Sequence, residues 1–110
     1  MKSFDATRTP FFVIPFDDGR GIRLVGQLDL STVRVLLAAL DTLPVGVLDL
    51  AELSFMDASG LHALEQYAGT LNGSAPLVLE NLSPPVRRLF EITGADHDPD
   101  LELRSGGADG

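Results

Sequence analysis

The chain has no cysteine and no tryptophan, and basic residues are scarce, with 8 lysines and arginines against 16 aspartates and glutamates. The absence of cysteine excludes disulfides and thiolate metal sites, which fits a reducing cytoplasm. A net charge of -8 argues against nucleic acid, whose phosphates are bound by basic surfaces, and favours a partner with a basic patch. No apolar run reaches membrane-spanning length. The N-terminal MKSFDATRTPFFVIPFDD carries Asp5 and Pro10 where a signal peptide needs an unbroken apolar core. Neither export nor membrane insertion is expected.

What is present is enough for one compact domain: 110 residues, 45% of them hydrophobic, are long enough for a core and short for a substrate-sized cleft. Residues 1–10 read as a flexible end, 11–104 as the domain and 105–110 as a disordered tail. Phe11 to Phe16 and Gly21 to Leu28 read as two strands of a hairpin around Asp17-Asp18-Gly19-Arg20, with Ile22, Leu24 and Leu28 facing one way and Arg23 and Gln27 the other. Pro15 suits an edge strand. Asp29 or Ser31 caps a helix with apolar positions Val33, Leu36, Leu37, Leu40 and Leu43, stopped by Pro44. Val45 to Leu50 reads as a central strand, with Asp49 placed to hydrogen-bond a neighbouring loop.

A short connection then leads into Asp57-Ala58-Ser59-Gly60. Leu61, Leu64, Ala68 and Leu71 follow on one helical face, with His62, Glu65 and Gln66 turned to solvent and Asn72-Gly73 at the end. Ala75 to Leu79 reads as a strand. Ser83-Pro84-Pro85 opens a helix packed through Val86, Leu89 and Phe90 and ended by Gly94, with Arg87 and Arg88 directed elsewhere. Leu101 and Leu103 suggest a last edge strand. Strands alternating with helices imply crossovers and a partly parallel sheet, with right-handed connections gathering the helices mainly on one face.

The stretch Val47 to Leu64 is the focus of any function, because a hydroxyl beside a glycine at a helix start lies near unpaired N–H groups and the positive end of the helix dipole. A phosphate is accommodated in such a place. From position alone Ser59 reads as a first-turn or capping residue before a phosphosite, Asp57 as an N-cap or as a group that orients the Ser59 hydroxyl, and Gly60 as a site of close backbone approach or a residue tolerated in a first turn. Enzyme readings are weaker. Ser59 and His62 share a helix face, but DASGLH is not Gly-x-Ser-x-Gly and no oxyanion site is apparent. There is no phosphate loop for nucleotide, no cofactor motif, and His97 among acids in a loop is no metal site.

The sequence LDLAELSFMDASGLHAL resembles the strand, turn and helix signature of the STAS domain, the family shared by sulphate-transporter tails and bacterial anti-sigma factor antagonists. Gly26-Gln27-Leu28-Asp29 resembles its Gly-x-Leu-Asp motif, and Ser83-Pro84-Pro85-Val86-Arg87-Arg88-Leu89-Phe90 its third-helix pattern. The likeness runs from about Val13 to Leu103 and is strongest to stand-alone antagonists. It implies a single α/β STAS-like domain with a mixed four- to five-stranded sheet. It also implies phosphorylation at Ser59, the hydroxyl before the glycine. Where the family often has a second hydroxyl, this chain has Ala58.

By the same resemblance, the unphosphorylated chain binds an anti-sigma factor serine kinase of the histidine-kinase-like ATPase fold and thereby releases a sigma factor. A serine phosphatase resets the phosphorylated form. The expected partner-binding residues are Asp29, Asp57, Ala58, Ser59, Gly60 and His62. The alternative is a STAS scaffold subunit of a larger assembly, such as a lipid-transport ATPase complex, without phosphoregulation.

Overall fold

Leucines alternate with Asp49 along the middle of the sheet, and the neighbouring strands repeat the alternation in register. In the computed structural model, which describes residues 11–71 and 75–104, the elements are β1 (Phe12–Pro15), β2 (Gly21–Leu28), α1 (Val33–Thr42), β3 (Val47–Met56), α2 (Ala58–Gly69), β4 (Leu77–Glu80), α3 (Pro84–Thr93), a 3₁₀ turn (Ala95–His97) and β5 (Leu101–Arg104). The sheet order is β1-β2-β3-β4-β5. β1 and β2 are antiparallel, and every later pair is parallel.

The strand order never reverses. Each crossover therefore steps in the same direction, and right-handed crossovers of that kind place their helices on one face. Ile22, Leu48, Leu79 and Leu103 lie side by side across four strands on the covered face. Leu36 and Leu40 of α1, Leu61 and Leu64 of α2, and Val86 and Phe90 of α3 close the core over this face. The other face carries the row Ile14, Arg23, Asp49, Glu80 and Arg104, also in register. The expected α/β class, mixed sheet and one-sided helices are all present.

Several boundaries differ from the sequence reading, each for a local reason. β3 does not stop at Leu50 but continues to Met56, so the expected short connection is strand. Its burial does not alternate because the register with β2 shifts twice, between Arg23 and Val25 and between Gly26 and Gln27. At each shift β3 carries an extra residue, as in a β-bulge. Gly26, with φ 112°, supplies the backbone conformation at the second one.

The N-cap of α1 is Thr32, not Asp29 or Ser31. The buried stripe of α1 is narrower than expected: Leu36 and Leu40 are buried, while Leu37 and Leu43 are exposed. α2 ends at Gly69, before Asn72-Gly73. β4 begins at Leu77. Ser83 stands at the N-cap of α3 without a side-chain capping bond, the first turn being set by Pro84 and Pro85 instead. The expectations for 1–10, 105–110 and Asn72-Gly73 lie outside the described residues.

Asp49 does bond a neighbouring loop. It is only 6% exposed, and its carboxylate accepts from Asn81 Nδ2 at 2.9 Å, the Ala51 N–H at 3.0 Å and Arg23 Nε at 3.1 Å. Burial, the largest single effect, pushes its pKa up; the bonds from Asn81, Ala51 and Arg23 together outweigh it and leave the pKa below the ordinary carboxylate value.

Candidate functional site

β2 and β3 are adjacent and parallel, and Leu28 pairs with Met56 at their carboxyl ends. The loops leaving these strands are therefore neighbours. They are tied directly, the Asp57 N–H donating to the Leu28 carbonyl at 3.2 Å.

Asp57 is extended (φ -108°, ψ -174°) and caps α2. Its Oδ1 accepts from the Ser59 N–H at 3.0 Å, the Gly60 N–H at 3.2 Å and the Ser59 Oγ at 2.5 Å. One carboxylate thus satisfies amides that the helix leaves unpaired and also fixes the serine hydroxyl. Ser59 is half-buried, with exposed Ala58 on one side and exposed His62 one turn on. The Ser59 hydroxyl goes to Asp57, so the structure does not form a Ser59–His62 pair of the kind a hydrolase needs.

Gly60 is where α2 comes closest to the sheet. A Cβ built there would lie 2.9 Å from Leu28 Cγ, from the Leu28 carbonyl oxygen and from Met56 Cγ. The glycine in Asp-Ala-Ser-Gly is thus required by packing against the end of β2 and not by an unusual φ.

The loop from Asp29 repeats the same geometry. Asp29 Oδ1 accepts from the Ser31 N–H at 3.0 Å, the Ser31 Oγ at 2.7 Å and the Thr32 N–H at 3.2 Å. The Ser31 hydroxyl is the largest of the effects that hold the Asp29 pKa below its ordinary value. Asp29 is therefore committed to its own turn, half-buried beside the exposed Leu30.

Thr32, which the sequence reading missed, is the buried pin of this loop. Its Oγ1 donates to the Gln27 carbonyl at 2.7 Å and accepts from the Asp29 N–H at 3.0 Å. Tyr67 was missed as well. It lies on the buried side of α2 and its hydroxyl donates to the Val45 carbonyl at 2.6 Å. A signal for it exists in the spacing, because Tyr67 stands one turn after Leu64 and so falls on the same stripe.

Asp29, Asp57, Ala58, Ser59, Gly60 and His62 are thus gathered at one end of the sheet, Gly60 buried beneath the others. His97 is elsewhere, exposed and 3.8 Å from Asp96. Among the described residues no cluster of metal-ligating side chains is found, and no helix is long and apolar enough to cross a membrane.

The architecture is a singly wound α/β layer with two aspartate-centred turns at one end of the sheet. The chain belongs to the STAS domain family: the family described as "Mlab, STAS domain" matches residues 16–104. Solved structures repeat the fold. A candidate anti-sigma factor antagonist from Thermotoga maritima is similar at 14% identity and a TM-score of 0.66, over 90% of this chain and 89% of that one. The anti-sigma factor antagonist SpoIIAA in its unphosphorylated form is similar at 24% identity and a TM-score of 0.64, over 86% and 87% of the two chains. The phosphorylated form of SpoIIAA, from Bacillus, is similar at 22% identity and 0.56, over 86% and 90%.

Proposed function

We propose that this chain is an anti-sigma factor antagonist switched by phosphorylation at Ser59. Unphosphorylated, it docks through the Asp29 and Asp57 turns on an anti-sigma factor serine kinase, which then releases its sigma factor. Phosphorylated, it lets go until a serine phosphatase restores the hydroxyl. The observation that carries this reading is the Ser59 hydroxyl itself, fixed 2.5 Å from the Asp57 carboxylate at the start of α2.

Phosphorylation places about -1.5 to -2 charges beside that carboxylate. The hydroxyl proton that joined the two oxygens is gone, and phosphate and carboxylate compete for the Ser59 and Gly60 amides. The positive end of α2 offsets part of the repulsion, so the fold tolerates the phosphate while a surface fitted to the bare turn does not. A loss of about 3 to 4 kcal/mol in binding corresponds to several hundredfold in affinity.

The test is incubation with the cognate kinase and ATP, followed by mass spectrometry. Phosphate on Ser59 is expected, with Ser59→Ala retaining kinase binding and Ser59→Asp weakening it. No phosphate at Ser59, or equal affinity of the two variants, refutes the switch.

A second reading is favoured by the family description, which names Mlab. In it the same end of the sheet packs on another subunit of a larger assembly, such as a lipid-transport ATPase complex, and Ser59 is never modified. Copurification with a membrane ATPase in place of a kinase would decide for it.

A further inference from the structure

Among the described residues no helix covers the outer face of the sheet, and this face carries exposed apolar side chains the core does not use. Phe11, just before β1, and Val13 on it point inward and pack against the core. Phe12 and Ile14 point outward, 54% and 48% exposed. Phe55 of β3, paired with Gln27 beyond the second register shift, lies on the same outward side and is 44% exposed. Val25, between Phe12 and Glu52 in register, links the strands. A cleft of about 460 Å³ opens beside Ile14, lined also by Phe16, Asp17, Arg20 and Arg23.

The charges around this patch are unequal. Arg20 pairs with Asp18, Arg23 with Asp49 and Arg104 with Glu102. Arg20 also lies over the Phe16 ring, 5.5 Å from its centroid. The arginines of the face are thus already engaged by acids. Asp17 and Glu52 have no ion-pair partner among the described residues, and Glu80 adds to the same sign. An apolar strip with surplus acid along it complements a segment that presents apolar residues flanked by lysine or arginine.

We propose that this uncovered face is a second docking surface, whose occupant is a basic amphipathic segment of a partner protein. Its apolar residues would lie over Phe12, Ile14 and Phe55, and its cations would meet Asp17 and Glu52. The surface is on the opposite side of the sheet from the helices, so its occupation does not require Ser59.

The experiment titrates the full chain with a synthetic amphipathic peptide of lysine and leucine at helical spacing and follows backbone amide shifts. Shifts confined to β1, β2 and β3 are expected, and Phe12→Ser combined with Ile14→Ser should abolish them. Asp17→Lys combined with Glu52→Lys should weaken binding about tenfold or more, with a steep salt dependence. Asp41→Lys combined with Glu91→Lys, the same charge change on exposed positions of α1 and α3, should leave affinity within about twofold.

Equal loss in that helix-face control, shifts centred on the helices, or equally tight binding of a glutamate and leucine peptide would overturn the proposal. So would concentration-dependent self-association that Phe12→Ser and Ile14→Ser abolish, because the face would then be occupied by a second copy of this chain.

Discussion

Substituting Gly60 by alanine sets two known effects against each other at one position. In a helix, glycine to alanine gains up to about 1 kcal/mol from propensity. Here the added methyl would sit 2.9 Å from Leu28 Cγ, the Leu28 carbonyl oxygen and Met56 Cγ, well inside ordinary van der Waals contact. Leu28 and Met56 are buried side chains, and the carbonyl oxygen cannot rotate away. That same carbonyl accepts the Asp57 N–H at 3.2 Å, so the shift that relieves the clash lengthens a bond worth about 0.5–1.5 kcal/mol. With about 1–3 kcal/mol for overpacking, Gly60→Ala is expected to destabilise by about 1–3 kcal/mol net and to lower the Tm by roughly 5–15 °C.

Gly69→Ala, at the other end of α2, is the internal control. A Cβ at Gly69 meets nothing within 4 Å. That variant keeps or raises stability by up to about 1 kcal/mol. Urea unfolding of both, followed by far-UV circular dichroism and analysed with a shared m-value, gives the comparison. A Gly60→Ala protein as stable as the Gly69→Ala protein would refute the close-approach account of the Asp-Ala-Ser-Gly turn.

Tyr67→Phe removes the hydroxyl that reaches the Val45 carbonyl at 2.6 Å and is expected to cost about 1–2 kcal/mol in chemical denaturation without changing the fold. Arg23→Gln probes acid stability through Asp49, whose folded pKa is held below its ordinary value. The stabilisation from such a carboxylate is present above the unfolded pKa, about 3.9, and is lost as pH falls through the lower folded value. Losing Arg23 raises the folded value towards the unfolded one. Acid unfolding followed by tyrosine fluorescence should therefore begin at a higher pH in the variant, with about 1 kcal/mol less stability near neutrality; an unchanged acid midpoint would show that Asn81 and the Ala51 amide suffice to hold Asp49.

The element order and the covered face were legible in the sequence because the alternation of Ile22 with Leu24 and the helical spacing of Leu61, Leu64 and Ala68 are uninterrupted signals. Asp57 was legible as a cap because its side chain needs only the next turn of its own helix. The carboxyl half of β3 was hidden for the opposite reason. Leu50, Leu53 and Met56 are buried at a three-residue spacing that does not read as a strand, and only the pairing with β2 explains it.

Thr32 was hidden behind two equally good capping candidates, Asp29 and Ser31, which turn out to serve the turn before the helix. The exposure of Leu37 and Leu43 was unreadable because it depends on where α2 lies against α1, a tertiary matter. Ala58, Ser59 and His62 are close in the chain and fall on the first turns of α2, while the partnership of the Asp29 loop with the Asp57 loop needed the strand order.

The paired register shifts in β3 have a consequence for how this chain can change in length. Between the Arg23–Asp49 pair and the Leu28–Met56 pair, β2 advances five residues and β3 seven. One shift inverts which side chains look toward the helices, and the other restores it. Loss or gain of a single residue between Leu50 and Phe55 would leave the inversion standing, sending Met56 outward and swinging the Asp57 carboxylate off the end of α2. Changes that come in twos preserve the facing and alter only how far the serine-bearing turn projects beyond the neighbouring strand, by roughly 6–7 Å. The segment behaves as a spacer with an even count, and that parity is inherited by any variant that keeps the turn in place.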